Sequence, residues 1–479
     1  MTADPVAAPS RRMLVGGIQV FLAESLLVPS GLLTAAYLAR RLGPEGYGIF
    51  TVAAALVAWV EWSLTSVFAR ASIRFVADAD DWRPIGSTIV SAHLVLGLAA
   101  AALLAALASP IAALLGTPAL ADPLRLFALD VPLFALAQAH RNILVGMGNF
   151  RERALAAAAR WVSRLLLVVL LVELGFSIEG AVLGSIGASL VEVAVCRWHV
   201  RPVFSARATR AIGLLWGYAA PLLVSALALR FYDRLDLVAL TALGGTPEAA
   251  GLYGSAQNLA LLPGIVGLSF APLLLATLTR AFRDGEDAMA RRIGREAVRG
   301  VLLLFPFAGL CAGASDEIVT FVFGPPFAPA APLLSPLIFA AVALVLVSVG
   351  TATLTAAGRP GLTAALTAPL PAIAVLGYVA LIPRYGASSA AWVTLAASSA
   401  AAAASLVTVY RVCRILPPAT TAAISVLTTV AAYAAAVTWR APGSLVLIEV
   451  AAISGAILLT YRLTGELTPG ALSPAGSPG

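Results

Sequence analysis

Long apolar stretches alternate with short polar ones along the whole chain, and this alternation predicts its elements. A helix needs about 20 apolar residues to cross the hydrocarbon core of a bilayer, and about fourteen stretches reach that length. They run approximately over 14–38, 47–69, 86–108, 124–147, 155–175, 178–197, 214–243, 250–279, 299–322, 332–356, 361–383, 387–411, 419–439 and 443–463. The first stretch exceeds the apolar core of a signal peptide, so we expect it to remain as an anchor. The pattern predicts an all-α integral membrane protein.

The composition supports this membrane assignment. Of the 479 residues, 60% are hydrophobic and 11% are charged, whereas a soluble domain carries about 25% charged residues. All 31 basic residues are arginines, and the net charge of +7 lies mostly in short loops, which argues against nucleic-acid binding. Cys196, Cys311 and Cys413 are isolated, so neither a disulfide framework nor a zinc site is expected.

Two parts of the sequence repeat each other. Pro44-Glu45-Gly46-Tyr47-Gly48-Ile49-Phe50 returns 203 residues later, from 44 to 247, as Pro247-Glu248-Ala249-Ala250-Gly251-Leu252-Tyr253. Later landmarks return at slightly wider spacing, as Gly148 does at Gly358. Many transporters are built from such repeats, because two bundles can rock about a site between them. We therefore expect two pseudo-symmetric six-helix lobes and two extra helices. The expected parts are a cytoplasmic tail (1–12), an N-lobe (13–211), a C-lobe (212–414), two C-terminal helices (415–465) and a disordered tail (466–479).

In each copy of the repeat, a proline stops one helix and a glycine follows at the start of the next. Pro44 and Pro247 each remove a backbone donor and restrict the residue before them. Gly48 and Gly251 then let another backbone approach closely. We interpret these segments as hinges or tight corners at the outer rim. We interpret the polar segment 280–299 as an amphipathic connector, which would be a solvated inner loop, a contact with lipid headgroups or a coupling helix.

The arginines predict the orientation of the chain, because cytoplasmic loops of membrane proteins carry an excess of basic residues. With the N-terminus inside, the inner loops and tails collect 22 of the 31 arginines. The outer side keeps five, which are Arg40, Arg41, Arg125, Arg384 and Arg440. This distribution predicts an even number of crossings, with both termini in the cytoplasm. The four remaining arginines, Arg141, Arg164, Arg230 and Arg234, lie inside predicted spans.

Several short motifs, taken in their order and spacing, point to a family. They are Leu42-Gly43-Pro44-Glu45-Gly46-Tyr47-Gly48-Ile49-Phe50 after a first helix, Asp236 leading through Leu243-Gly244 to Gly251-Leu252-Tyr253, Phe323-Gly324-Pro325-Pro326-Phe327, Ala357-Gly358-Arg359, and Leu381-Ile382-Pro383-Arg384-Tyr385-Gly386. Over about residues 13–463 the chain resembles the polysaccharide exporter or oligosaccharide flippase family, of the O-antigen type. That family belongs to the superfamily of multidrug, oligosaccharidyl-lipid and polysaccharide exporters.

The resemblance implies a V-shaped pair of six-helix lobes in the cytoplasmic membrane. It implies the export of glycans linked to a polyprenyl diphosphate, for the synthesis of cell-surface polysaccharide. The partners that it implies are this lipid-linked oligosaccharide, membrane lipids, a polysaccharide polymerase and glycosyltransferases. Neither a cofactor nor catalysis is expected, since the sequence has no catalytic set and no phosphate-binding loop followed by lysine.

Ionisable residues inside a membrane are costly and usually mark a site or a partner. Arg230, Asp233 and Arg234 lie near the middle of the predicted seventh helix and would share one helical face. Two arginines held by one acid suit a diphosphate, which a guanidinium grips with paired donors. The alternative is a self-neutralised ion network that fixes the helix. Asp236 matches an acidic position of the family, either as a binding or as an orienting group.

Other charges in the predicted spans extend this candidate site. Glu24 in the first helix would pair with Arg230 or Arg234, or sense a coupling ion. Arg141 and Arg164 would line the cytoplasmic approach of a lipid diphosphate, although an arginine near a helix end can also reach the interface. Glu61 is a further candidate for an ion pair or for coupling, and His93, His140 and Glu192 complete the group.

Three other functions remain open at this point. A multidrug antiporter would favour an acidic cavity for cations, whereas the arginines favour an anionic cargo. A peptidoglycan-precursor flippase of the same superfamily would also use arginines within the membrane. A membrane glycan polymerase or ligase would carry a large outer loop, and no connection here exceeds about twenty residues.

Overall fold

The computed structural model of the protein describes residues 26–203, 231–416 and 419–466, and these residues form helices and turns without a strand. The first helices are α1 (Leu27–Ala77), α2 (Trp82–Leu114), α3 (Ala121–Phe127), α4 (Asp130–Gly146), α5 (Phe150–Leu171) and α6 (Ser177–His199), with a 3₁₀ turn at Pro118–Leu120 and a π-helical turn at Val172–Phe176. They are followed by α7 (Leu235–Ala242), α8 (Pro247–Ala260), α9 (Gly264–Arg283), α10 (Asp287–Leu302), α11 (Phe305–Gly313) and α12 (Ser315–Phe323). The last are α13 (Ala331–Ala356), α14 (Pro360–Thr367), α15 (Pro369–Cys413), α16 (Ala419–Trp439) and α17 (Val446–Leu463), with 3₁₀ turns at Pro325–Ala330 and Gly443–Leu445. The prediction of an all-α protein is confirmed.

Eight helical stretches in the described part of the chain are long and apolar enough to cross a membrane. They are Leu27–Thr65, Trp82–Leu114, Phe150–His199, Asp287–Gly313, Pro325–Ala356, Pro360–Cys413, Ala419–Trp439 and Gly443–Leu463. Two of these stretches each contain two whole predicted segments, with the backbone broken at Gly175 and at Gly386. A third, Leu27–Thr65, joins parts of the first two predicted segments and is broken at Gly43. The protein is therefore a multi-pass membrane protein. The count of fourteen crossings includes residues outside the described ranges and stays a prediction.

The repeat seen in the sequence has a counterpart in the backbone. Gly148 after α4 and Gly358 after α13 both adopt a left-handed conformation, with φ of 77° and 73°. The amides that follow them, of Asn149 and Arg359, donate to the carbonyl oxygen five residues earlier at 2.8 and 2.9 Å. This is the helix termination in which glycine is favoured because it has no Cβ. The two halves of the chain thus end corresponding helices in the same way.

The described residues divide between two compact units. The first comprises Met1–Asn258 and Thr367–Val393, and the second comprises Leu259–Leu366 and Thr394–Gly479. In the first unit α5 packs along α6, and a methyl group added at Gly184 would lie 2.7 Å from the backbone of Val168. Small residues allow this close approach, which is typical of helices packed in lipid. The predicted lobe boundary at 211/212 lies outside the described residues and stays a prediction.

In the second unit the two C-terminal helices are part of the packed core. α11 contacts α16 so closely that a methyl group at Gly309 would lie 2.7 Å from the carbonyl oxygen of Thr429. Leu310 of α11, Ala432 of α16 and Ile457 of α17 lie in one apolar cluster. The helices that follow the predicted six-plus-six arrangement are therefore integrated into this unit.

The predicted connector between the eighth and ninth spans is a helix, α10, with one buried and one exposed face. The buried face carries Ala290, Gly294, Ala297, Val298 and Val301, whose spacing follows the helical period. Arg292 and Arg295 lie on the exposed face. At its end Arg299 Nε donates to Glu466 Oε2 at 2.7 Å, so the first residue of the predicted C-terminal tail is anchored.

Candidate anion-binding site

The predicted seventh helix is broken in its described part. Phe231 and Tyr232 are helical, Asp233 and Arg234 form a turn, and α7 begins at Leu235. Arg234 has a φ of 67° and a ψ of 8°, a left-handed conformation that is uncommon for a residue with a Cβ. Asp233 and Arg234 therefore do not share a face of one continuous helix, contrary to the expectation from their spacing. Broken membrane helices often mark transport sites, because the freed backbone must be satisfied by other groups.

A tryptophan of α1 contacts the backbone at the break. The indole Nε1 of Trp59 donates to the carbonyl oxygen of Asp233 at 2.7 Å. Its ring meets the ring of Phe231 edge-on, with the centroids 5.7 Å apart. The carbonyl loses its helical partner at the break, and the indole supplies a donor in its place. This contact stabilises the turn that positions Arg234.

The guanidinium of Arg234 is held by neutral amides. Its Nη1 donates to Gln257 Oε1 at 2.7 Å and its Nη2 to Asn258 Oδ1 at 2.9 Å, both on α8. Amide oxygens fix the orientation of the guanidinium without neutralising it, and Asp236, whose charge interacts with that of Arg234, is not hydrogen-bonded to it. In the described part of the chain no carboxylate is hydrogen-bonded to Arg234, so the ion network considered from the sequence is not formed there.

Asp236 is buried and bound by uncharged donors. Tyr253 Oη donates to Asp236 Oδ2 at 2.7 Å, and Gln257 Nε2 donates to Asp236 Oδ1 at 2.9 Å. The backbone amide of Leu237 also donates to Oδ1, at 2.8 Å. Gln257 thus bridges Asp236 and Arg234, giving its amide protons to the acid and its oxygen to the arginine. Asp236 orients the partners of Arg234.

Tyr47 connects this network to the first repeat motif. Asn258 Nδ2 donates to Tyr47 Oη at 2.7 Å, and the Tyr47 side chain is buried, with 1% of its surface exposed. The charges of Arg234 and Arg164 both lie within electrostatic range of Tyr47. A buried tyrosine of the first repeat is therefore near both an arginine of α5 and the arginine at the break.

The two copies of the repeat cross beside this network. A methyl group added at Gly48 would lie 1.9 Å from the carbonyl oxygen of Pro247, and one added at Gly251 would lie 1.9 Å from that of Pro44. The contact is reciprocal, because each glycine meets the proline carbonyl of the other copy, and equivalent residues of the two copies are 203 positions apart. The prediction that these glycines permit a close backbone approach is confirmed.

Two arginines of the first unit share one acid. Glu192 of α6 is completely buried, and its oxygens lie 3.2 Å from Arg141 Nη1 and 2.9 Å from Arg160 Nη1. Both guanidinium groups also lie over the ring of Phe134, at 5.7 and 4.8 Å from its centroid. Arg141, predicted to line the substrate approach, is thus held by an ion pair in this conformation. Arg160, which is one of the 22 arginines counted toward the inner side, is buried on α5.

Arg164 lies one helical turn after Arg160 and is differently placed. Its guanidinium has no hydrogen bond or ion pair with the described residues, and its Nε is buried without a partner. Glu61, Asp130 and Tyr47 act on it electrostatically, at longer range. An arginine that keeps its charge inside a membrane protein without a bound acid is a candidate for contact with an anionic ligand.

Two buried acids complete the charged group of the first unit. Glu61 of α1 is 6% exposed and Asp130 at the start of α4 is 3% exposed. Glu61 Oε1 and Asp130 Oδ1 have no hydrogen-bond partner among the described residues. The Asp130 charge acts on Glu61, as do the charges of Arg141, Arg160 and Arg164.

The structure thus gathers some of the predicted site residues and separates others. Arg234 and Asp236 belong to one network, Arg164 and Glu61 lie in the buried charged group, and Asp233 is exposed at the break. Arg230 and Glu24 lie outside the described residues, so their roles stay predictions. The residues that the sequence reasoning missed are Tyr47, Trp59, Asp130, Gln257 and Asn258. The adjacent amides in an apolar span, and the acid at the start of another, were available as signals.

The fold and the site together define a multi-pass helical membrane protein with charged side chains buried among its helices. Residues 37–332 match the family described as polysaccharide biosynthesis protein. Because this match covers more than half of the chain, the protein belongs to that family. The resemblance read from the sequence motifs is confirmed.

Related proteins agree with this assignment. The chain is 28% identical over 306 residues to the succinoglycan biosynthesis transport protein ExoT of Rhizobium meliloti (strain 1021). The alignment covers 63% of this chain and 60% of that protein.

Solved structures show the same fold. The chain is similar to the lipid II flippase MurJ in an inward closed conformation, with a TM-score of 0.77 and 14% identity, covering 95% of this chain and all of that one. It is also similar to an inward-facing multidrug resistance MATE transporter (TM-score 0.59, 15% identity, 86% and 94% covered). A third neighbour is the Vibrio cholerae MATE transporter VcmN (TM-score 0.58, 16% identity, 85% and 98% covered).

Proposed function

We propose that the protein is a flippase that moves polyprenyl-diphosphate-linked oligosaccharides across the cytoplasmic membrane for the synthesis of cell-surface polysaccharide. The observation that carries the proposal is the state of two arginines. Arg234 is bound by amides alone, and Arg164 has no bound partner among the described residues. The charges of both arginines act on the buried Tyr47, that of Arg164 from the first repeat and that of Arg234 from the second. Each keeps a positive charge for which the described part of the chain supplies no bound acid.

A diphosphate meets the chemical requirements of these arginines. A guanidinium donates two parallel hydrogen bonds to phosphate oxygens, and such charge-assisted bonds gain strength in a medium of low dielectric constant. The oligosaccharide would follow the headgroup through the interior, while the polyprenyl chain stays in the surrounding lipid. Arg230 would add a third cation on the same segment.

The reciprocal contact of Gly48 and Gly251 supports transport by alternating access. In the described conformation the backbones of the two repeats touch on one side of the Tyr47 network. Separation of this contact, with closure elsewhere, would expose the headgroup to the other side of the membrane. Transporters with internal repeats move in this manner about a site near the repeat interface.

The proposal includes the sidedness and the partners predicted from the sequence. Both termini would lie in the cytoplasm, so that the headgroup enters where glycosyltransferases complete the oligosaccharide. A polysaccharide polymerase would receive the product on the outer side. The family assignment supports this placement within polysaccharide synthesis.

Replacement of the arginines tests the proposal. We expect Arg234→Gln and Arg164→Gln each to reduce glycan export strongly, and Arg230→Gln with Arg234→Gln to abolish it. Lysine at these positions should retain part of the activity, because the charge remains while the paired donor geometry does not. The matched control is Arg359→Gln, which changes an exposed arginine in a turn. Normal export by Arg234→Gln and by Arg164→Gln, at normal membrane abundance, would overturn the proposal.

A peptidoglycan-precursor flippase is the second candidate, and the likeness in fold to MurJ favours it. Both cargoes carry a diphosphate, so the arginines do not separate them. Complementation does: the gene should restore export in a strain that lacks its oligosaccharide flippase and should fail in one depleted of its lipid II flippase. A cation-coupled multidrug antiporter is less compatible with the arginines, because they would repel a cationic drug.

A further inference from the structure

The buried charges of the first unit are unevenly paired. Three acids and three arginines lie together, yet Arg141 and Arg160 both bind Glu192. Glu61 and Asp130 are left without an ion pair among the described residues, although both are more than nine-tenths buried. A buried carboxylate without a partner is costly when it is ionised. The burial of two such carboxylates therefore requires an explanation in the surrounding structure.

A third oxygen lies beside the two acids. The side chain of Ser189 on α6 is completely buried and lies beside Asp130, although neither its hydroxyl nor Asp130 Oδ1 completes a hydrogen bond of good geometry with the described residues. Asp130 acts on Glu61 as a like charge, and their helices meet here, because the ring centroid of Trp62, next to Glu61, lies 5.9 Å from that of Phe134, one helical turn after Asp130. Helices α1, α4 and α6 thus each bring one unsatisfied oxygen to the same interior region.

The charges that act most strongly on the two acids come from neighbouring residues of the described part of the chain. Glu61 is faced by Asp130 and by Arg141, Arg160 and Arg164. Asp130 is faced by Arg160, Arg164 and Glu192. Because Arg141 and Arg160 are bound to Glu192, Arg164 is the arginine whose position can respond to the charge of the two acids.

We propose that Glu61 and Asp130, together with the Ser189 hydroxyl, form a proton-binding site, and that its protonation state determines whether Arg164 is drawn toward these acids or left for an anionic headgroup. The second half of this statement rests on the proposed function, whereas the first does not. The proton comes from the aqueous phase and binds a carboxylate oxygen, and the other carboxylate or the serine oxygen accepts its hydrogen bond. No other bond changes.

A proton suits the site better than a metal ion. Two carboxylates and one hydroxyl are a small ligand set for a hard cation, which prefers six or more oxygens. Arg160 and Arg164 would also repel a bound cation. A proton instead removes the repulsion between two like charges, which cannot both ionise easily at close range.

The direction of coupling follows from competition for Arg164. When the acid pair is deprotonated, its negative charge attracts the guanidinium and a phosphate must compete for it. When the pair holds a proton, Arg164 is available. Headgroup affinity should therefore rise as the pH falls through the titration of the pair. By linkage, binding of the headgroup should be accompanied by proton uptake. If one proton is taken up, the affinity should change by at most about tenfold per pH unit.

The first experiment examines the proton site without any ligand. Infrared difference spectra of the full-length protein in nanodiscs, recorded across a pH titration, should show the carbonyl band of a protonated carboxylic acid. Glu61→Gln or Asp130→Asn should remove or shift this band, while Glu45→Gln, which changes an exposed acid in the repeat motif, should not. An unchanged band in both buried-acid variants would overturn the proton site.

The second experiment examines the coupling to Arg164. Binding of farnesyl diphosphate, as a short polyprenyl diphosphate, is measured across pH by calorimetry in buffers of different ionisation enthalpy. The probe itself titrates, so the wild type is compared with Glu61→Gln. We expect the variant to bind more tightly than the wild type at high pH and to show a shallower pH dependence. It should also take up fewer protons, and Arg164→Gln should remove the difference between the two proteins.

The outcomes separate the two proposals. Absence of probe binding at every pH, with the infrared band intact, would count against the diphosphate site and leave the proton site standing. Equal pH dependence in wild type and Glu61→Gln would overturn the coupling. A third experiment replaces sodium by choline at constant ionic strength. If sodium shifts the infrared band and the affinity while pH does not, the site binds a metal cation and the proposal is wrong.

Discussion

Gly48 and Gly251 occupy equivalent positions in the two repeats and contact each other through their backbones. Each glycine faces the carbonyl oxygen that lies four residues before the other one. A side chain on either residue would occupy the space of that oxygen. The approach resembles the small-residue contacts of membrane helices, in which Cα hydrogens face carbonyl oxygens across the interface. It joins the repeats at one end of the Tyr47 network.

Alanine at these glycines is therefore expected to destabilise the described conformation. Gly48→Ala or Gly251→Ala places a methyl group 1.9 Å from a carbonyl oxygen, so the helices must separate, at a cost of about 1–3 kcal/mol. Thermal unfolding of the purified protein and glycan export should both decline. Gly300→Ala is the matched control, because nothing lies within 4 Å of its added methyl group. Equal effects at all three positions would contradict the importance of the crossing.

Cysteines beside the same crossing should report its opening. We expect Glu45→Cys with Glu248→Cys to form a disulfide, since both residues are exposed and adjoin the contact between the repeats. The cross-link should block export, and reduction should restore it. Cys196, Cys311 and Cys413 are first replaced by serine to prevent other pairings. Continued export at the normal rate by fully cross-linked protein would exclude the rocking motion proposed above.

Removal of the acid shared by two arginines should affect stability more than removal of an exposed acid. Glu192→Gln removes the one carboxylate that forms ion pairs with the buried Arg141 and Arg160, and the loss of one partner of a buried ion pair costs about 3–5 kcal/mol. We expect a marked decrease in the thermal unfolding temperature. Asp122→Asn disrupts the exposed ion pair with Arg125 and should change it little. Equal unfolding temperatures for the two variants would show that Glu192 is not needed to hold these arginines.

The sequence predicted the features that depend on local chemistry. Apolar stretches identify membrane helices because the bilayer imposes a length, and Gly148 and Gly358 marked equivalent helix ends because only a residue without a Cβ adopts that conformation at low cost. The repeat of Pro44 at Pro247 located the crossing. Each of these features is determined by a few neighbouring residues.

The candidate site depended on information that the spacing of charges does not contain. A regular helix through Asp233 and Arg234 was the natural expectation, because no proline or glycine interrupts that segment. The break is instead supported from outside by Trp59 of α1. In the same way, whether Arg141 or Arg164 keeps a free charge depends on the place of Glu192, which is distant in sequence. Contacts between residues that are distant in sequence therefore decide which arginines are candidates for binding an anion.

The predicted orientation can be tested directly. The excess of arginines in alternate loops predicts that both termini lie in the cytoplasm. A fluorescent reporter that matures only in the cytoplasm, fused after Arg462, should be bright, and an alkaline phosphatase fused there should be inactive. A fusion within the 440–443 turn, on the predicted outer side, should behave in the opposite way. Active phosphatase at the C-terminal position would contradict the proposed sidedness.

The most specific prediction concerns Asn258, because a change of one atom should neutralise Arg234 without disturbing its position. In the described structure the Asn258 oxygen accepts from Arg234, while its amide nitrogen donates to Tyr47 Oη. In Asn258→Asp the first hydrogen bond becomes an ion pair, and the tyrosine hydroxyl can turn to donate to the new carboxylate. Folding should therefore be maintained, as the thermal unfolding temperature can verify.

The function of this variant should nevertheless be lost. A carboxylate bound to Arg234 competes with a phosphate for the same donors, and a hydrogen bond to a charged group contributes about 1.5–3 kcal/mol. We expect diphosphate affinity and glycan export to fall by about tenfold or more, although no arginine has been removed. Asn258→Ala removes the amide contacts while leaving Arg234 charged, so it should retain more export than Asn258→Asp despite lower stability. If the aspartate variant exports glycan as well as the wild type, Arg234 does not serve the cargo through its charge, and the candidate anion-binding site must be sought elsewhere in the chain.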